Sequence, residues 1–188
     1  SGIIKVLRGP KGSVVNLKVK RGGVPGLIDF EIVRDDIPLY SMDAAYMVDP
    51  TTGFISVSRF AEATAREVRQ AADSLSRLGM KNLILDLSGN GGGYLGSAVE
   101  LASEFLRKGD PVVFTKGLNT PPAGYAVESN GQLPVDRLVI MVDQYSASAA
   151  EILSGAIQDN DRGLIVGRRT FGKGLVQRPF PFPDGSMI

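Results

Sequence analysis

Three short stretches of this 188-residue chain hold residue types that could do chemistry. In Tyr145-Ser146-Ala147-Ser148-Ala149-Ala150-Glu151, Ser148 stands between an apolar run and a segment with helical spacing. A serine at such a junction most commonly caps the helix with its hydroxyl. It could also be a nucleophile, with the N–H of Ala149 at the helix start available to an oxyanion. Small residues on both sides would leave room for a substrate backbone. Gly167-Arg168-Arg169-Thr170-Phe171-Gly172-Lys173 follows the spacing of a phosphate-binding P-loop as far as the lysine, but Gly174 stands where a magnesium-binding Ser or Thr is needed. Lys173 lies between Phe171 and Leu175, and a lysine held against apolar groups loses hydration and is pushed toward its neutral, basic form. The plainer alternative is a surface lysine in a glycine turn. Gly91-Gly92-Gly93-Tyr94-Leu95-Gly96 satisfies the G-x-G-x-x-G of dinucleotide sites, yet the following strand ends in Thr115 and Lys116 rather than in a ribose-binding acid. Consecutive glycines after a strand also let backbone N–H groups approach a ligand closely, as an oxyanion hole requires.

Two absences narrow the chemistry. There is no cysteine, so thiol nucleophiles, disulfides and thiolate metal sites are excluded. There is no histidine either, which removes the Ser-His-Asp triad and the usual zinc-peptidase sites. Any hydrolytic base must then be Lys, Asp, Glu or a terminal amine. The formal net charge of +1 argues against a nucleic-acid binder, which would normally carry a basic excess. No apolar run approaches the roughly 18–20 residues of a membrane span, and Ser1–Gly12 shows no signal-peptide core. At 43% hydrophobic, the chain can bury one core of ordinary size.

Periodicity supplies the elements that must position these stretches. Ile3–Leu7 reads as the last turns of a helix, and Val14–Lys20 and Leu27–Val33 as strands. Ile37–Asp49 and Gly53–Ser58 read as a strand pair across Asp49–Gly53. Thr64-Ala65-Arg66-Glu67 has the pattern of a capping box, opening a helix that carries Val68, Ala71, Ala72, Leu75 and Leu78 to a stop at Gly79. A buried strand at Leu83–Leu87 leads to a helix over Leu95–Leu106 and a strand at Pro111–Phe114. The Gly/Pro/Asn-rich stretch Gly117–Leu133 reads as a long functional or mobile loop. A strand at Leu138–Val142, a helix over Ala149–Gln158, and strands at Leu164–Val166 and Leu175–Pro179 complete an α/β pattern.

Taken together, Leu83-Ile84-Leu85-Asp86-Leu87-Ser88-Gly89-Asn90 with Gly92-Gly93-Tyr94-Leu95, then Ser146-Ala147-Ser148-Ala149-Ala150-Glu151-Ile152, then Thr170-Phe171-Gly172-Lys173-Gly174-Leu175-Val176-Gln177, resemble the C-terminal processing peptidases, or tail-specific proteases. Asp159-Asn160-Asp161-Arg162 belongs to the same pattern, and the resemblance runs from about Ile3 to the end. The chain departs from it at Ser88, where arginine is common, at Gly91, where proline is common, and at Ala150, often a second serine.

The resemblance implies a serine peptidase with Ser148 as nucleophile and Lys173 as general base, acting through an acyl-enzyme without metal or organic cofactor. Gln177 would orient the lysine, since positions four apart share a face if Lys173–Gln177 is extended. The N–H groups of Ala149 and Gly93, with Gly92 as the neighbouring alternative, would form the oxyanion hole. The implied fold is a mixed crotonase-like α/β core of ββα units, preceded by the C-terminal part of a PDZ domain. Residues 1–35 would be the PDZ remnant and linker strand, and 36–188 a peptidase core truncated at its C-terminal end. Substrates would be unfolded or extended protein C-terminal tails, met outside the cytoplasm in the periplasm or cell envelope. Nucleic acid is not an expected partner, membrane association would come only through segments outside this chain, and homo-oligomerisation is left open. The competing readings are an inert peptide-binding or scaffolding relative, a nucleotide-binding domain, and, on fold alone, a crotonase-type acyl-CoA enzyme.

Overall fold

Apolar residues alternate along most of the strands, and in the structure this alternation puts helices against one face of a sheet. The structure is a computed structural model that describes residues 2–36, 40–177 and 180–188, in two compact units, Ser1–Leu39 and Tyr40–Ile188. In the first unit, helix α1 (Gly2–Leu7) is followed by strands β1 (Val14–Val19) and β2 (Ile28–Val33), paired antiparallel with Leu17 opposite Phe30. The Arg34 guanidinium closes the end of α1, donating to the carbonyls of Leu7 at 2.8 Å and Val6 at 3.0 Å. These are carbonyls that a helix end leaves without intrahelical partners.

The second unit holds a five-stranded mixed sheet in the order β3-β4-β5-β8-β9. Strands β3 (Met42–Asp49) and β4 (Thr52–Val57) form an antiparallel hairpin. Strands β5 (Asn82–Asp86), β8 (Arg137–Val142) and β9 (Leu164–Gly167) then continue the sheet in parallel from β4. Helices α2 (Thr64–Arg77), α3 (Leu95–Ser103) and α4 (Ala149–Asp159) lie in the crossovers between parallel strands. Their buried residues, among them Val68, Leu75, Leu101, Leu153 and Ile157, form one core with Ile55, Val57, Leu83, Leu85, Leu138 and Ile140 of the sheet. The alternate positions Phe54, Ile84 and Val139 are only half-buried, so the apolar runs read as fully buried strands are covered on one face. Among the described residues, no helix is long and apolar enough to cross a membrane.

Three expectations about elements change. Thr64 and Glu67 form no capping box: the Thr64 hydroxyl accepts the Ala61 N–H, and the Glu67 carboxylate accepts both the N–H and the hydroxyl of buried Ser41. A tertiary donor takes the carboxylate that local pairing would have used. The long loop after the strand at 111–114 is partly structured: β7 (Ala123–Ala126) folds back antiparallel on β6 (Pro111–Thr115). Residues 175–177 form no strand, and the rest of that expected element, Arg178 and Pro179, lies outside the described residues, as do 37–39 of the expected strand 37–49.

Strands β5, β8 and β9 are parallel neighbours, so their carboxyl ends open on the same side. The three stretches singled out in the sequence are the three loops leaving those ends, where ligands bind in open α/β sheets.

Candidate active site

Ser148 is the N-cap of α4 and has φ 56°, ψ −114°. Ser148 and Asp161 are the non-glycine residues with positive φ among the described residues. A side chain in this sparse region costs on the order of 1–3 kcal/mol and persists only where the surroundings over-determine it. They do so here from both sides. The Ala147 N–H donates to the Asn90 carbonyl at 2.9 Å, and the Ser148 N–H donates to Glu151 Oε2 at 2.9 Å. Two residues earlier in the turn, fully buried Ser146 donates its hydroxyl to the Leu87 carbonyl at 2.7 Å and accepts the Asp143 N–H. The turn after β8 is thereby tied to the end of β5.

Glu151 then reaches the third loop. Its Oε2 also accepts the Lys173 N–H at 2.8 Å, while Oε1 accepts the Gly172 N–H and the Thr170 hydroxyl, each at 2.7 Å. Burial alone would raise this carboxyl, but the four donated hydrogen bonds outweigh it and hold Glu151 below its ordinary value. One carboxylate oxygen therefore binds the backbone N–H groups of both Ser148 and Lys173. The Phe171 N–H adds a bond to the Ser146 carbonyl at 3.0 Å.

The Lys173 amine donates to Gln177 Oε1 at 3.2 Å, so these two predicted residues meet even though no strand joins them. Among the described residues no hydrogen bond links that amine to the Ser148 hydroxyl. Of the apolar neighbours that could dry Lys173, Phe171 is 67% exposed and Leu175 74%, while Lys173 itself is half-buried.

The glycine turn after β5 separates its two candidate donors. The buried Gly92 donates its N–H to Asn90 Oδ1 at 2.9 Å, so that group is not available to an oxyanion. Asn90 is itself fully buried and donates its amide to the Val57 carbonyl at 2.7 Å. Gly93 is exposed, and among the described residues neither its N–H nor that of Ala149 donates to a protein acceptor. Gly92 lies directly against the Ser148 turn: a Cβ built on it would stand 2.8 Å from Ser148 Cβ. Gly93 has φ 152°, and a Cβ there would lie 1.9 Å from the Phe60 carbonyl oxygen, so both positions demand glycine.

Among the described residues no helix follows Lys173 to receive phosphate at the other glycine stretch. Glu151, Asn90 and Thr170 stand in the recognised stretches, yet residue type and spacing alone assign them no role. For Glu151 a signal existed, since an acid three residues after a helix-capping serine is the capping-box position.

The sequence profile described as "Peptidase family S41" matches residues 51–188. The chain is 36% identical over 185 residues to the carboxy-terminal processing protease CtpA of Bacillus subtilis, covering 98% of this chain and 39% of that protein. It is 37% identical over 187 residues to a carboxyl-terminal-processing protease of Synechocystis, covering 97% of this chain and 43% of the relative. It therefore spans about two fifths of the curated relatives it matches. Among solved structures, a photosystem II D1 C-terminal processing protease aligns with a TM-score of 0.68 at 28% identity, over 99% of this chain and 51% of that one.

Proposed function

This chain belongs to peptidase family S41, and on that premise we propose that it is the core of a serine peptidase acting on protein tails through a Ser148–Lys173 dyad. The observation that carries this reading is the shared Glu151 oxygen. It holds the backbone nitrogens of the two residues no further apart than two hydrogen bonds laid end to end. From such an anchor the flexible four-carbon stem of Lys173 can bring its amine to the serine hydroxyl.

In the proposed reaction, neutral Lys173 Nζ takes the proton of Ser148 as Oγ attacks the peptide carbonyl. The Gly93 and Ala149 N–H groups receive the oxyanion. Gln177 Oε1 accepts an amine hydrogen and so turns the lone pair of Nζ toward Ser148. Collapse of the tetrahedral intermediate expels the amine, which takes the proton from Lys173, and water then hydrolyses the acyl-enzyme by the same proton route. The C-terminal processing relatives suggest unfolded or extended protein tails as substrates and a site outside the cytoplasm. A helix followed by the β1–β2 hairpin suits the final part of a PDZ domain, and the mixed sheet with its crossover helices suits a crotonase-like core.

Alanine at Ser148 or at Lys173 should abolish cleavage of an unstructured peptide while leaving the circular-dichroism spectrum unchanged. Retained cleavage by Lys173→Ala would sink the base assignment. The unjoined hydroxyl and amine favour a second reading, an inert peptide-binding relative. That protein would bind peptide yet leave Ser148 unlabelled by a serine-reactive probe.

A further inference from the structure

One aromatic side chain on each of the three loops stands in water, on a residue whose backbone N–H is held by a hydrogen bond. Tyr94 follows Gly93 directly, is 63% exposed, and has its N–H held by the Phe60 carbonyl at 3.0 Å. Tyr145, also 63% exposed, lies three residues before Ser148, and its N–H is held by Asp143 Oδ1 at 2.9 Å. Phe171, 67% exposed, is bonded to the Ser146 carbonyl and flanked on both sides by Glu151 contacts to Thr170 and Gly172. Each of the three loops that supply a reacting group thus also carries one exposed ring. A large apolar side chain held in solvent forgoes burial worth about 1.5–3 kcal/mol, and such groups clustered at a site mark a surface that something apolar covers.

We propose that Tyr94, Tyr145 and Phe171 form a specificity rim that receives bulky apolar side chains of an extended peptide on either side of the bond to be cut. This rests on the peptidase reading and adds its substrate chemistry. It also gives Phe171 a different part from the one expected of it. The exposed ring beside Lys173 would shield that amine from water together with the substrate side chain that covers it.

The test uses matched unstructured peptides carrying Leu and Phe, or Asp and Lys, at the two positions flanking one bond. Their binding to the Ser148→Ala chain is measured by fluorescence anisotropy, and their cleavage by the unmodified chain is followed in parallel. Covering one ring predicts about tenfold tighter binding of the apolar peptide. Tyr94→Ala, Tyr145→Ala and Phe171→Ala should each shrink that ratio severalfold. Phe114→Ala, which removes an exposed ring on β6, should leave it intact. Equal binding of the two peptides, or a ratio that survives all three rim substitutions, overturns the proposal. A preference seen while Ser148 resists serine-reactive labelling upholds the rim and removes the peptidase chemistry. Labelling without preference does the reverse.

Discussion

Glu151→Gln is the substitution that probes the site most directly. The carboxylate accepts four hydrogen bonds, two on each oxygen. A glutamine amide keeps one acceptor oxygen and turns an NH2 donor toward the remaining two donors, so two bonds are lost whichever way it lies. Bonds to a charged acceptor contribute about 1.5–3 kcal/mol each, and the half-buried position argues for the low end. The loss is then about 3 kcal/mol in holding the Lys173 loop to the Ser148 turn. At about 1.4 kcal/mol per decade, the aligned population and kcat/KM fall about a hundredfold. Thr170→Val removes one of the four bonds without changing shape and should fall in between, near tenfold. Hydrolysis of an unstructured fluorogenic peptide and the rate of Ser148 acylation by a serine-reactive probe should both show this order. A Glu151→Gln chain within about threefold of the unmodified one, or equal damage by Thr170→Val, would show that the carboxylate does not hold the Lys173 loop to the Ser148 turn.

Gly93→Ala should destabilise the protein by on the order of 3 kcal/mol in denaturant titration, because Phe60 backbone blocks the new methyl group; a cost below about 1 kcal/mol would contradict the close approach. Asn90→Ala removes the side-chain bonds to the Val57 carbonyl and the Gly92 N–H and should cost about 2–4 kcal/mol by the same measurement. Stability should also fall in acid. Asp143 is held below its ordinary 3.8 first by the Gly89 N–H, against burial and with further help from Tyr145 and Ser146, and Glu151 lies below its ordinary 4.5. Both contributions are complete above those ordinary values and are lost as pH falls through the lower folded ones. Melting temperature should therefore hold from neutrality to about pH 4.5 and then drop, less steeply in Glu151→Gln; a flat profile down to about pH 3 would refute the carboxylate ties.

The sequence by itself determined most of the helices and strands and the inventory of candidate reacting groups. Strand and helix periods are local, so β4, α2, β5, α3, β8 and α4 were legible within a residue or a few, and the lack of histidine and cysteine left few bases. The recognised stretches singled out Ser148, Lys173 and Gln177 on residue types and order alone. Only the tertiary structure decided which groups meet. Parallel pairing of β5, β8 and β9 brings the three loops to one end of the sheet, a result of long-range register that no local pattern encodes. Competition between donors settled the rest. Ser41 draws Glu67 away from a capping box, Asn90 takes the Gly92 N–H, and Glu151 joins the Ser148 turn to the Lys173 loop. A buried polar group bonds to whatever donor folding brings nearest, and which donor that is depends on the packed fold rather than on neighbours in the chain.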